Sequence, residues 1–210
     1  MLRSIRDDWR RRLPFFGVNA GHVGFLMNAP EQLFEAGLPC RDVIFRQLPL
    51  IYVEMETMDG QTITTHAFND AWVERSTSQS AWLQITVNGV PRIEKLVSDG
   101  ALVSTAAGST AYARAMGASP LLADTPAWLL VGSNVMEPVN WKSALLSPDM
   151  SVEITCLDPA RRAVSAYVDG VAQGPVRSLR ARISRAATVE LVFLANRDMA
   201  EKIANIQFGR

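Results

Sequence analysis

The sequence has few of the residues that build metal sites and disulfide frameworks. Its 210 residues include two cysteines, Cys40 and Cys156, and two histidines, His22 and His66. Two cysteines are too few for a disulfide-rich scaffold or a structural zinc site, and two histidines add little to them. We therefore expect neither a protein-bound metal ion nor a disulfide framework.

Long apolar runs and an excess of charge are also missing. No segment approaches the roughly 18 uncharged apolar residues of a membrane helix, and no apolar stretch follows the basic start as in a signal peptide. Lys plus Arg and Asp plus Glu each number 21, which argues against binding nucleic acid through bulk positive charge. With 48% hydrophobic residues the chain is not disordered. We expect a cytoplasmic globular protein with no membrane or nucleic-acid partner.

Charge is less even along the chain than in total. Residues 47–99 hold seven acids and three bases, whereas residues 157–185 hold six arginines and two aspartates. The guanidinium fork suits phosphate and carboxylate recognition. A charged run is more often a solvated face, so the role of the arginine-rich stretch stays open.

The middle of the chain has the pattern of antiparallel strands. Asp59-Gly60 and Asn88-Gly89 are hairpin turn signals between β-compatible runs. Regularly spaced turn signals predict a β-sandwich, with later strands expected at 129–131, 151–157, 163–168 and 188–194. Helical spacing recurs at 1–12 and 197–206. The fold class is therefore α+β, mostly an antiparallel all-β sandwich. We divide it into a partial α/β piece at 1–46, a β-sandwich at 47–190 and a strand-helix at 191–210.

The most informative segment is Ser98–Tyr112. An acidic turn at Asp99 leads into an apolar strand, which leads into a loop of small residues and a helix-like run after Gly108-Ser109-Thr110. Small side chains let a ligand approach the backbone, and free N–H groups at a helix start favour anionic or polar groups. An ordinary helix N-cap has the same residue types.

Three further segments offer polar groups or glycines. Residues 17–26 place three glycines after a predicted strand but lack the dinucleotide fingerprint; His22 there either faces a ligand or lies on the surface. Asn69-Asp70 could hydrogen-bond a base edge or ribose hydroxyls, or form an Asx turn. Asp169-Gly170, taken alone, is a hairpin turn.

In this order and spacing, the four segments together resemble the NAD kinases, which phosphorylate the adenosine ribose 2′-hydroxyl of NAD. The family's elements are matched by the following residues: Gly17, Asn19, Gly21, Gly24, Phe25 and Leu26; then Asn69 with Asp70; then Asp99, Gly100, Ser104, Thr105, Gly108, Ser109, Thr110, Ala111 and Tyr112; and then Asp169 with Gly170. The resemblance spans nearly the whole chain and implies the family's C-terminal sandwich fold.

The resemblance also implies binding roles. Asn69 and Asp70 would hold polar groups of the dinucleotide, and Phe25 would pack against it. Thr110, Ala111 and Tyr112 would take its adenine and ribose side, and Asp99 and Asp169 would reach its nicotinamide end or the site of a neighbouring subunit. The glycines at 21, 24, 100, 108 and 170, with Ser109, would shape the loops. The family implies NAD as substrate, ATP or polyphosphate with Mg²⁺ as donor, and a homodimer or homotetramer.

The chain departs from the family where phosphate is transferred. The family's Gly-Gly-Asp-Gly loop, whose aspartate deprotonates the 2′-hydroxyl, is absent, and the first residues resemble the stretch that follows that loop. No catalytic residue is therefore identified. Asp70 replaces a glutamate, and Ala106-Ala107 replace a proline and a hydroxyl residue. If each lost hydrogen bond costs about 0.5–1.5 kcal/mol, NAD affinity falls by about tenfold or more.

Three interpretations follow from these matches and departures. The chain is an NAD kinase that is truncated or divergent; or it is a catalytically inactive NAD(P)- or nucleotide-binding regulatory module of that family; or it belongs to the wider superfamily of diacylglycerol, sphingosine and phosphofructo-type kinases. The Gly108–Tyr112 element is typical of dinucleotide binding and disfavours the third.

Overall fold

The computed structural model describes residues 1–21, 24–31, 33, 42–195 and 199–208. Its helices are short: α1 (Leu2–Asp8), α2 (Tyr112–Ala115) and α3 (Met199–Phe208), with 3₁₀ turns at Trp9–Arg11 and Ala107–Thr110. The strands are β1 (Phe15–Phe16), β2 (Val43–Thr57), β3 (Thr62–Ala67), β4 (Asp70–Arg75), β5 (Ala81–Val87), β6 (Val90–Ser98), β7 (Gly100–Thr105), β8 (Trp128–Ser133), β9 (Ser143–Leu146), β10 (Ser151–Cys156), β11 (Val164–Val168) and β12 (Val171–Leu194). Within the described residues, no helix is long and apolar enough to cross a membrane.

The long strand β12 organises the sheet. Val176 pairs with both β11 and β2, and Ser178 pairs with both β10 and β2. A strand has two edges, so β11 and β10 follow one another along the edge opposite β2. A register shift between Val176 and Ser178 separates them. Two arms leave β12 there, one in the order β11-β4-β7-β8-β9 and the other in the order β10-β5-β6.

The two arms enclose one apolar core. Val53 of β2, Val73 of β4, Leu83 of β5, Trp128 of β8 and Val176 of β12 are all buried in the same cluster. On β2, β4, β5 and β12 these residues alternate with more exposed neighbours, as expected for strands with one face against a core, whereas β8 is buried on both faces. All pairs among the strands of the described residues are antiparallel except that of β1 with β12. The predicted antiparallel sandwich is confirmed.

A second core lies where β2 and β12 extend beyond the sandwich. There Ile5 of α1 and Phe25 pack with Phe68, Leu191 and Phe193. Strands β2 and β12 pass without interruption through the predicted boundaries at 46 and 190, because both supply residues to both cores. The division into three segments stays a prediction.

Several predicted elements change their bounds. The strand predicted at 188–194 is the end of β12, which begins at Val171, and β9 was not predicted. Gly174, at φ 98°, and Pro175 interrupt the pattern of β12, and the adjoining pairing with β11 shifts register. The sequence predicts a short buried strand over 15–19, but β1 stops at Phe16, which is 40% exposed. Residues 31–36, for which Pro30 before them and Gly37 after them predict one or two helical turns, lie largely outside the described residues.

The buried side chain of Asn28 joins β1 to β12. Its Nδ2 donates to the carbonyls of Gly17 (3.0 Å) and Val192 (3.1 Å), and its Oδ1 accepts from the amide of Leu194 at 2.9 Å. The backbone of Asn28 also bonds to Gly17 and Asn19. Because the amide side chain has no exposed surface, each of these partners depends on it.

We expect Asn28→Ala to lower the free energy of unfolding by about 2–4 kcal/mol, because it leaves buried backbone groups without partners. Urea denaturation measures this change. The control is Asn140→Ala, since Asn140 is exposed, and we expect it to change stability by less than about 0.5 kcal/mol. Equal stability of the two variants would refute the role of Asn28.

Candidate functional site

Asp169 binds a loop that lies about 100 residues earlier in the chain. Its carboxylate accepts the backbone N–H groups of Phe68 (2.8 Å), Asn69 (2.8 Å) and Asp70 (3.2 Å). In return, its own amide donates to the carbonyl of Asp70 at 2.9 Å. Asp169 has φ 47° and Gly170 has φ 81°, which is the left-handed backbone of a tight turn between β11 and β12. The predicted turn is therefore also the anchor of the Phe68–Asp70 loop.

The side chains of Asp70 and Asp169 form a pair of buried carboxyl groups. Asp70 is 4% exposed and Asp169 is 6% exposed. Burial, and then the charge of Asp169, raise the pKa of Asp70 to about 7. Burial also raises the pKa of Asp169, although its three amide bonds and Arg6 act in the opposite direction. Asp70 therefore changes protonation near neutral pH, as acids at functional sites often do.

The Phe68–Asp70 loop in turn holds the end of β7. The Thr105 hydroxyl donates to the carbonyl of Phe68 at 2.7 Å and accepts the amide of Gly108 at 3.0 Å. The carbonyl of Asn69 accepts the amide of Thr105 at 2.9 Å. A Cβ on Gly108 would lie 2.3 Å from that carbonyl oxygen, so only glycine permits this approach. The structure thus brings together the second and third matching segments.

The small-residue turn after β7 is held by Ser109. Its buried hydroxyl donates to the carbonyl of Ala106 at 2.6 Å and accepts the amide of Leu121 at 2.8 Å. The predicted helical run is shorter than expected: Ala107–Thr110 is a 3₁₀ turn, and α2 covers only Tyr112–Ala115. Ser109 is therefore a loop-forming residue, and it does not cap α2.

Tyr112 stands over an aromatic surface on β4 and β11. Trp72 stacks on Tyr167, with ring centroids 4.9 Å apart, and meets the edge of Tyr112 at 5.0 Å. Burial raises the pKa of Tyr112, and the nearby carboxylates of Glu74, Asp70 and Asp99 raise it further. Tyr112 therefore lies between the acidic groups at the two ends of β4.

Asp99 occupies the opposite end of β4 from Asp70. Asp70 pairs with Ser104, and four residues further on Glu74 pairs with Gly100, a distance of about 13 Å along the strand. Asp99 accepts from Asn134 Nδ2 at 2.7 Å and from Arg75 Nε at 2.6 Å. Both bonds lower the pKa of Asp99, and the bond from Asn134 has the larger effect. Asp99 is thus charged, compensated and separate from the Asp70–Asp169 pair.

The glycine-rich segment builds a tight loop next to the second core. The side chain of Asn19 accepts the amide of Gly21 at 3.0 Å and lies against Gly24, whose φ is 41°. Phe25 is 7% exposed and packs in the core that includes Ile5. Its packing against a dinucleotide stays a prediction. His22 lies outside the described residues.

The sequence pattern did not single out Trp72 or Tyr167 as parts of the site, and it gave Thr105 as a matching residue without a role. A signal was present for the two aromatic residues. Trp72 follows Asp70 by two positions and Tyr167 precedes Asp169 by two, and residues two apart on a strand share a face. The match did not predict what Thr105 binds, because its role depends on a loop from elsewhere in the chain.

We expect Asp169→Asn to lower the free energy of unfolding by about 2–4 kcal/mol, because an amide has a single acceptor oxygen for three N–H donors. Faster hydrogen exchange at Phe68, Asn69 and Asp70 would locate the damage. The control is Asp59→Asn, another Asp-Gly turn on an exposed hairpin, for which we expect little change. Unchanged exchange in Asp169→Asn would contradict the anchoring role.

We expect Asp70→Asn to stabilise the protein at about pH 8 and to have little effect near pH 4. The folded-state pKa is about 7, above the unfolded value, so ionising Asp70 costs stability as the pH rises between these values. At about 1.36 kcal/mol per pKa unit the gain is at most about 4 kcal/mol. Thermal unfolding across pH measures it, with the exposed Asp124→Asn as control. A stability gain in Asp70→Asn that did not depend on pH would contradict the raised pKa of Asp70.

Comparison with known proteins places this geometry in a family. No protein-family model matches the chain. NAD kinase from Rickettsia bellii is 32% identical over 209 residues, covering 100% of this chain and 82% of that protein. NAD kinase from Brucella suis is 33% identical over 210 residues, covering 99% of this chain and 80% of that protein.

Two solved structures share the fold. Yeast NADH kinase complexed with NADH has a TM-score of 0.79 and 20% identity, covering 94% of this chain and 59% of that chain. An NAD kinase from Archaeoglobus fulgidus in complex with ATP has a TM-score of 0.68 and 21% identity, covering 91% of this chain and 74% of that chain. Because the curated relatives match along nearly the whole sequence, this chain belongs to the NAD kinase family.

Proposed function

We propose that this chain is an NAD kinase of divergent sequence, which transfers phosphate from ATP to the 2′-hydroxyl of the NAD adenosine ribose. The observation that supports this most directly is the assembly of Asn69-Asp70, Asp169 and the Gly108–Tyr112 turn at one place in the fold. Family membership supplies the reaction, and this assembly supplies a surface for its acceptor substrate.

Within that proposal, the two ends of β4 have different roles. Asn69 and Asp70 hydrogen-bond polar groups of the dinucleotide, and Thr110–Tyr112 take its adenine and ribose. Asp169 positions them through the three amides of the Phe68–Asp70 loop. Asp99, about 13 Å away along β4, serves the nicotinamide end or the site of a neighbouring subunit in a homodimer or homotetramer.

The proposed transfer forms a bond from the ribose 2′-oxygen to the γ-phosphorus of ATP and breaks the bond to ADP, and the hydroxyl proton leaves. Mg²⁺ enters with the donor phosphates, where it neutralises charge. Among the described residues no group of three His, Cys, Asp or Glu side chains could hold a metal ion, so we place the ion with its substrate. We assign no base for the proton to a residue of this chain.

We expect the purified chain to form NADP from NAD, ATP and Mg²⁺, and NAD alone to raise its melting temperature. Asn69→Ala and Tyr112→Ala should each weaken NAD binding by at least about tenfold, because each removes contacts worth about 1.4 kcal/mol or more. Isothermal titration measures the affinity. Asn140→Ala is the matched control, with an expected change below about twofold.

The two readouts separate transfer from binding. NAD binding without NADP formation would rule out the kinase function and support the alternative, an inactive NAD(P)-binding regulatory module. If the chain neither binds NAD nor forms NADP, both functions are overturned. Undiminished NAD affinity in Asn69→Ala and Tyr112→Ala would mean that the dinucleotide lies elsewhere on the chain.

A further inference from the structure

A concave surface lies at the carboxyl end of α1, apart from the proposed dinucleotide site. We call it the arginine groove; its walls include Trp9, Arg10, Arg12, His66 and the segment of β12 around Ser184 and Thr188. Its volume is about 680 Å³, which is within the range of small-molecule sites. Of the described residues that we propose for dinucleotide binding, none lines this groove. It is therefore a separate feature of the fold.

Two departures from regular backbone form the walls of the groove. The pairing of β12 with β2 shifts register between Ile183 and Thr188. The Ser184 hydroxyl accepts the amide of Ala187 at 2.9 Å and so holds the bulge in place. On the other side, the chain leaves the 3₁₀ turn after α1 through Arg12, whose φ is 54°. Both walls are therefore fixed by local structure around the groove.

Two of the arginines in residues 1–12 line the groove. Arg3 and Arg6 pair with Asp7, and Arg11 pairs with Asp8. Arg10 and Arg12 form no ion pair within the part of the chain that the structure describes, and both line the groove. One carboxylate, that of Glu190, also lines it. The balance of charge thus favours an anion, and two guanidinium groups suit a phosphate.

The floor of the groove is aromatic. The rings of Trp9 and His66 lie 4.8 Å apart at an angle of 50°, and the guanidinium of Arg10 lies 4.8 Å from the Trp9 ring. The Nδ1 atom of His66 is buried and has no hydrogen-bond partner among the described residues. Burial, followed by the charges of Arg10 and Arg182, lowers the pKa of His66 and favours its neutral form. Flat, neutral aromatic groups of this kind stack on planar rings.

We propose that the arginine groove binds a phosphorylated ligand with a planar ring, of the chemical class of a nucleoside monophosphate. The phosphate binds Arg10 and Arg12, and the ring packs on Trp9 and His66. This site goes beyond the proposed kinase function, and its ligand need not be a substrate of that reaction.

Adenosine 5′-monophosphate is the probe, titrated into the full ¹⁵N-labelled chain. The indole N–H resonance of Trp9, assigned with Trp9→Phe, reports on the groove, and that of Trp72 reports on the proposed dinucleotide site. We expect the Trp9 resonance to move in a saturable way. We also expect adenosine, which lacks the phosphate, and inorganic phosphate, which lacks the ring, each to bind at least about tenfold more weakly.

A matched pair of double variants tests the arginines. The double variant Arg10→Ser with Arg12→Ser should bind the probe at least about tenfold more weakly, as measured by the titration of the Trp9 resonance. Arg3→Ser with Arg11→Ser removes the same charge from arginines that are already ion-paired, and we expect a change below about twofold. Tyr112→Ala should leave the Trp9 response intact, which separates this site from the proposed kinase site.

Three results would overturn the proposal. The first is a Trp9 resonance that does not move at millimolar probe. The second is equal affinity in the two double variants, provided that both retain the dispersed spectrum of a folded chain. The third is adenosine or inorganic phosphate binding as tightly as the monophosphate, because the ring and the phosphate would then not both be recognised.

Discussion

The carboxylate of Asp169 is the group on which the site depends. It accepts three consecutive backbone amides from Phe68–Asp70, and that loop then holds Thr105 and the close approach of Gly108. Three backbone segments that are far apart in sequence are thereby fixed in one arrangement. A carboxylate suits this position because it can accept several hydrogen bonds at once in a buried setting.

The position of Asp169 also helps to make the carboxyl groups at the two ends of β4 differ in pKa. Asp70 is buried beside Asp169, so its pKa rises to about 7. Asp99 has Asn134 and Arg75 as partners, which lower its pKa. An acid that titrates near neutrality thus lies at one end of β4, and a compensated carboxylate from the β6–β7 turn lies at the other, with Tyr112 near both. Acids with such different environments can serve different parts of one extended ligand.

Much of the sandwich could be predicted because its signals are local. Asp59-Gly60 and Asn88-Gly89 both lie at hairpins, and Gly60, Asn88 and Gly89 have positive φ as these turns require. The greater part of β12 was missed, since Gly174 and Pro175 interrupt its alternation, although both residues stay paired with β11. Asn28 gave no sequence signal, because its partners are Gly17, which follows β1, and residues about 165 positions away on β12.

The sequence by itself determined the antiparallel strands, the turns between them and the family, since each follows from local periodicity or from the order of short motifs. Only the tertiary structure decided which motif residues meet. It brought Asp169 to Asn69 and Asp70, placed Asp99 at the far end of β4, and left Arg10 and Arg12 facing His66 in a groove. The physical reason is that strand pairing joins residues far apart in the chain, and no local pattern records which strands become neighbours.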